Sequence, residues 1–263
     1  MGESSYRKMR IAVIGAGNVS THLTAALAAV ENVVQIFSRN LENAKLLAEK
    51  TGVKSYTGNL EDITAEADLY IISVKDDAIS GIVAKLSELN KNAVWVHTSG
   101  STGCEVFENS MPKNGVFYPL QTFSKNAEVN VAEVPFLLEA SDNQSLEMLK
   151  ALASKISEKV YEADSVTRRR LHIAAVFACN FANNLWRISD ELLKEYNLSM
   201  DVFLPLLKVS VEKLGTLSPE DAQTGPAMRG DVHIIENHLK ELSGENREIY
   251  RLMSDSILKH YKR

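Results

Sequence analysis

The chain has 263 residues, 45% of them hydrophobic, so it can bury a substantial core and is long enough for two domains. Its 34 acidic and 29 basic residues leave a formal charge of −5, which offers neither a basic field for nucleic acid nor a polybasic tract for a membrane surface. Cys104 and Cys179 form no disulfide framework or metal cluster, no apolar run approaches the roughly 18 residues that span a bilayer, and Met1 to Arg10 lacks the apolar centre of a signal peptide; the expectation is a cytoplasmic protein without metal, membrane or nucleic-acid partners.

The first apolar run, Ile11 to Ile14, ends in Gly15-Ala16-Gly17-Asn18-Val19-Ser20, and an Ala- and Leu-rich segment through Ala29 follows at helical spacing. The spacing predicts a strand turning into a helix at the glycines, the place where a dinucleotide pyrophosphate binds. Gly15 would allow the tight turn and Gly17 the close approach of the pyrophosphate, while the first helical amides face the anion. Ser20 stands where the third small residue belongs. A glycine turn can also merely join strand to helix.

Val33 to Phe37 reads as the second strand, at whose end an acidic residue would bind the ribose 2′-hydroxyl of NAD. The chain instead has Ser38-Arg39-Asn40. Arg39 offers a planar cationic fork and Ser38 and Asn40 offer donors, which favours NADP over NAD. The alternative for Arg39 is an ordinary solvated loop arginine.

A helix is expected from Leu41 to Lys50, a break at Thr51-Gly52 and a short strand from Val53 to Tyr56. Ala67 to Asp76 reads as a buried strand with a polar end, followed by a helix from about Asp77 to Leu89. Ligands of an open parallel sheet bind beyond the carboxyl ends of its strands, so Ser73, Val74 and Lys75 are placed to meet the cofactor. Ala93 to Val96 leads into His97-Thr98-Ser99-Gly100-Ser101, where His97, Ser99 and Gly100 suit the polar head of a substrate; such a run also caps helices, and Ser101 or Thr102 could simply be an N-cap. Gly115 to Phe123 reads as another strand, with Gln121 in the polar cluster at its end. Val134 to Glu139 and Lys159 to Tyr161 are further strands around an amphipathic helix from Gln144 to Ser157. Residues 1–163 are thus expected to form a Rossmann-like, doubly wound α/β domain with a mainly parallel sheet.

Residues 164–263 carry helical periodicity almost throughout: Ser165 to about Tyr196, Asp201 to Leu214, Val232 to Leu242 and Asn246 to Tyr261, with Asp231 placed as an N-cap. This all-helical domain is expected to supply the other wall of an active-site cleft and to pair two copies as a homodimer. On an α-helix, Asn183 falls within about 20° of His172 and Asn180 within about 80°. Amides and imidazole on an otherwise apolar helix need partners, so His172 and Asn180 read either as satisfied structural groups or as a cleft-lining acid/base pair. Arg168-Arg169-Arg170 lies in the first turn, where the dipole disfavours cations; it reads as a solvated face or as awaiting an anion. Arg229 either clamps a substrate carboxylate or pairs with Asp231.

The glycine turn, Ser38-Arg39-Asn40, Ser73-Val74-Lys75-Asp76 and the strand-then-helical layout resemble the superfamily of β-hydroxyacid dehydrogenases and pyrroline-5-carboxylate reductases. His97-Thr98-Ser99-Gly100, Pro119-Leu120-Gln121-Thr122-Phe123, His172 with Asn180, and Thr224-Gly225-Pro226 with Arg229-Gly230-Asp231 more closely resemble a poorly characterised bacterial branch. That branch joins a Rossmann-like domain to a helical domain of unknown function, and its members are described as NADP oxidoreductases. β-Hydroxyacid dehydrogenases carry Lys-x-x-x-Asn on the first helix after the cofactor domain; if Asn180 is that asparagine, Val176 holds the lysine's place. His172 would then take over proton transfer. The branch commonly has a histidine where Tyr118 stands. The resemblance implies hydride transfer between NADP and a small carbonyl or imine carboxylate, with Asn180 orienting, Ser99, Gly100 and Gln121 making polar contacts and Arg229 clamping the carboxylate. A non-catalytic NADP-binding sensor or scaffold is the rival reading, and the missing lysine supports it.

Overall fold

The computed structural model describes residues 7–108 and 110–261, so residues 1–6 of the Met1 to Arg10 stretch read for a leader lie outside it. The chain forms two compact units, one ending at Cys179 and the other beginning at Asn180.

The first unit is built on eight strands: β1 (Arg10–Ile14), β2 (Asn32–Phe37), β3 (Tyr56–Thr57), β4 (Leu69–Ile72), β5 (Val94–His97), β6 (Asn114–Pro119), β7 (Phe136–Ala140) and β8 (Val160–Glu162). Their order across the sheet is β3-β2-β1-β4-β5-β6-β7-β8, parallel except where β7 meets β6. Helices α1 (Asn18–Val30), α2 (Leu41–Thr51), α3 (Asp76–Leu86) and α4 (Asn143–Ala153) connect them, and α5 (Ser165–Ala175) leaves the last strand. The chain builds outward from β1 to β3, then crosses back to lay β4 on the other side of β1. That reversal opens a crevice at the carboxyl ends of β1 and β4, where ligands of doubly wound sheets bind.

Side chains alternate across each strand. Ile11 and Val13 pack on one face with Leu23 and Leu27 of α1, while Ala12 and Ile14 pack on the other with Ile79 and Val83 of α3. Each such apolar side chain stabilises by about 1.5–3 kcal/mol when fully buried. Tyr70 and Trp95, opposite each other on β4 and β5, stack at 3.9 Å on that second face.

The strand expected from Gly115 to Phe123 is corrected at its end: β6 stops at Pro119, because the Gln121 amide turns back onto the Pro119 carbonyl at 3.1 Å. The short strand expected at Val53 to Tyr56 forms instead at Tyr56–Thr57, after a left-handed Gly52 has ended α2.

The second unit is helical: α6 (Ala182–Lys194), α7 (Leu204–Lys213), the short α8 (Pro219–Ala222) and α9 (Pro226–Arg229), α10 (Val232–Glu241) and α11 (Gly244–Tyr261). The uninterrupted helix expected from Ser165 to Tyr196 is broken by a π-helical segment, Val176–Phe181. Asp231 makes no side-chain capping bond; its carboxylate accepts from Arg229 Nε at 2.9 Å instead. No helix among the described residues is long and apolar enough to cross a membrane.

Candidate functional site

Gly15 adopts φ +133° between β1 and α1, a conformation that L side chains rarely take, and a Cβ there would overlap the Ser73 carbonyl oxygen. The same oxygen accepts the Ser20 hydroxyl at 3.1 Å, and Ser73 Oγ accepts from Thr98 at 3.1 Å. These bonds tie the glycine turn to the ends of β4 and β5, and they explain the small residue at position 20. Gly17 differs. It is exposed, has no positive φ, and a Cβ on it would meet no atom within 4 Å. Nothing in the fold therefore demands glycine there, whereas close approach of a pyrophosphate to the first turn of α1 does. That turn is left without a side-chain cap at Gly17; Asn18 is exposed, Val19 half-buried and Ala16 buried. The residues present thus fit a dinucleotide.

At the end of β2, Arg39 is exposed and makes no hydrogen bond or ion pair among the described residues. Its neighbours are partly committed. Asn40 caps α2, its Oδ1 accepting from Glu42 and Asn43 at 3.0 and 3.3 Å, which leaves only its amide group to donate. The Ser38 backbone amide bonds to Thr57 O at 3.1 Å. Lys75 is exposed at the start of α3 and Val74 half-buried beside it.

The loop after β5 corrects one expectation. His97 has no exposed surface, its Nδ1 accepts from Ser99 N–H at 3.2 Å, and its Nε2 lies 3.3 Å from the Gly103 carbonyl. Burial lowers its pKa to about 4, so the ring is neutral and donates from Nε2. With both nitrogens spent inside its own loop and its face on Phe107, His97 shapes the loop and does not touch a substrate. Ser99 accepts from the Ser101 and Thr102 amides at 3.1 and 2.9 Å, so the capping hydroxyl here is that of Ser99 rather than of Ser101 or Thr102. Gln121 is exposed, its Oε1 held by the Thr122 amide at 2.7 Å.

Above this loop, Tyr118 Oη and His172 Nδ1 meet at 3.0 Å. Gly100 lies directly beneath: a Cβ there would come within 2.6 Å of His172 Nδ1 and 2.8 Å of Tyr118 Cζ. Sequence reasoning gave Tyr118 no part in the site. It also misread Arg168, which is neither solvated nor free. The side chain is fully buried, ion-paired with Glu139 on β7, and bonded to the Thr102 carbonyl and, at 3.1 Å, to Ser165 Oγ. Arg168 therefore clamps the Ser99–Gly103 loop to the start of α5, four residues or about one turn before His172. Burial pushes the Glu139 carboxyl up, but bonds from Arg168 and Ser165 outweigh it and hold it below its ordinary range.

Asn180 and Arg229 belong to the second unit. Asn180 is exposed and sits in the π segment, whose wider turn invalidates the angular spacing to His172 expected for a regular helix; π segments recur at functional sites. Arg229 is exposed and uses Nε on Asp231, while its terminal nitrogens make no bond among the described residues.

Residues 2–121 match a Rossmann-like domain and residues 134–257 match DUF2520, a domain of unknown function. The chain is 44% identical to the "putative NADP oxidoreductase BF3122" of Bacteroides fragilis, with a TM-score of 0.92 over 96% of this chain and 98% of that one. Protein TM1727 of Thermotoga maritima is 25% identical, with a TM-score of 0.75 over 95% and 96% of the two chains. An imine reductase from Myxococcus stipitatus, solved with NADP+, shares the fold at 14% identity and a TM-score of 0.61, over 95% and 92%. No curated protein matches the chain.

Proposed function

The chain belongs to the family that joins a Rossmann-like domain to a DUF2520 domain, and from that premise we propose that it is an NADP-dependent oxidoreductase acting on a small carbonyl or imine compound that bears a carboxylate. One observation carries the reading: an open approach to the first turn of α1 at Gly17 is combined with an exposed guanidinium, Arg39, that has no protein partner among the described residues. Proteins similar to this chain in sequence and fold support the same cofactor.

When bound, NADPH supplies the hydride. The chain's own residues bind and orient. Amides of the first α1 turn and Asn18 hold the pyrophosphate. Arg39, Ser38 and the Asn40 amide take the 2′-phosphate, and Ser73, Val74 and Lys75 flank the cofactor from the end of β4. His172 presents its imidazole to the substrate's oxygen or nitrogen and handles the proton there, with Ser99, Gly100 and Gln121 as polar surroundings. In the second unit, the exposed Asn180 offers an orienting amide and Arg229 offers its terminal nitrogens to a carboxylate.

The active form is a homodimer paired through the helical unit. Support comes from α7, which buries none of its residues and exposes Leu206 at 61% and Val211 at 66%. Such apolar area is normally covered by a partner. Free thiols at Cys104 and Cys179 suit a reducing cytoplasm.

The test is calorimetry with NADPH and NADH, then NADPH oxidation against a panel of keto acids and cyclic imine carboxylates. Binding of neither cofactor overturns the proposal. Tight NADPH binding without turnover on any compound would favour the sensor role that Val176, in place of a lysine, supports. Sedimentation of the protein and of Val211→Glu tests the dimer, which the charge should split.

A further inference from the structure

Tyr118 comes from β6 and His172 from α5, and their contact at 3.0 Å is the sole hydrogen bond of the Tyr118 hydroxyl among the described residues. The tyrosine is only 9% exposed. A buried O–H left without an acceptor costs about 1–3 kcal/mol, so the hydroxyl donates and Nδ1 accepts. A neutral imidazole that accepts at Nδ1 carries its proton on Nε2, and within the first unit that nitrogen makes no hydrogen bond.

We propose that Tyr118 is a positioning residue that fixes His172 in the Nε2–H tautomer, so that Nε2 donates a hydrogen bond to the carbonyl oxygen or imine nitrogen of the substrate. This deepens the reading of His172 given above and rests on it. Three further features belong to the same device. Burial pushes the Tyr118 phenol up to about 12, so it keeps its proton across the neutral range and remains the donor. Gly100 has no side chain because a Cβ would strike both rings. The Arg168 clamp on Thr102 and Glu139 fixes the loop beneath the pair relative to α5.

The tautomer is read by nitrogen-15 NMR of the full chain, with the His172 signals assigned by their loss in His172→Gln. The wild type should show a pyridine-like Nδ1 and a proton-bearing Nε2. Tyr118→Phe should move both signals toward a tautomer average and lower kcat on the order of tenfold, with NADPH affinity within about twofold of wild type. Gly100→Ala, which pushes the rings apart, should give the same averaged signals and serves if Tyr118→Phe does not fold. An Nδ1–H pattern in the wild type, an averaged one, or signals unchanged in the folded variants overturns the proposal. The spectra need no substrate. Turnover by His172→Gln at the wild-type rate would instead remove the catalytic reading of His172 while leaving the Tyr118 contact as measured.

Discussion

The carbonyl oxygen of Ser73 occupies the place that a side chain on Gly15 would need. Two strand ends, β1 and β4, are thereby pressed together, and Ser20 seals the contact with a hydrogen bond at 3.1 Å. The two glycines of the turn consequently serve different ends.

Gly15→Ala should destabilise the protein by about 2–4 kcal/mol, since it combines a forbidden φ with overlap on backbone. Gly17→Ala meets no atom and should cost under about 1 kcal/mol, yet weaken NADPH binding. Denaturant unfolding alongside calorimetry separates the two effects; equal stability losses would refute the distinction.

Arg39→Asp removes a cationic fork and places a carboxylate near the 2′-phosphate. NADPH affinity should fall at least tenfold, by about 1.5–3 kcal/mol, while NADH affinity rises. An unchanged preference between the cofactors would remove Arg39 from the site.

Arg168→Met should cost about 3 kcal/mol, because it strips the partner from Glu139, whose side chain is only 21% exposed. The loop beneath His172 also loses its tie to α5, so turnover should drop more than NADPH affinity. Unfolding curves and steady-state rates measured on the same preparation check both parts.

His97 gives the protein a specific acid sensitivity. Its folded pKa lies near 4, lowered by burial, against about 6.5 in the unfolded chain. Between those values the unfolded chain takes up a proton that the folded one refuses. The contribution is therefore complete above about pH 6.5 and is lost as pH falls toward 4, by up to about 3 kcal/mol. His97→Gln should flatten the pH dependence of unfolding in that window, whatever it costs in absolute stability; a slope equal to wild type would refute the assignment.

Residues 10–37 made the glycine turn and the first two strands legible, because apolar period and glycine placement are local quantities. The same holds for the longer helices of the second unit, whose apolar spacing is also local, whereas the short α8 and α9 lie outside the helices which that spacing predicts. What local pattern could not supply was the far end of each polar contact. Arg168 stands in a run of three arginines that reads as solvated, and only the packing of α5 against β7 brings Glu139, 29 residues away, to neutralise it in the interior. His97 reads as a substrate contact until the loop closes on both its nitrogens. Tyr118 looks like one more apolar strand residue until α5 folds back over a separation of 54 residues to set His172 on its hydroxyl. The π segment was equally hidden, since Val176 to Phe181 has ordinary helical composition. Sequence determined which faces are apolar and where the chain turns, and the tertiary structure decided which polar atoms meet, because a hydrogen bond depends on ångström distances between segments that the chain itself keeps far apart.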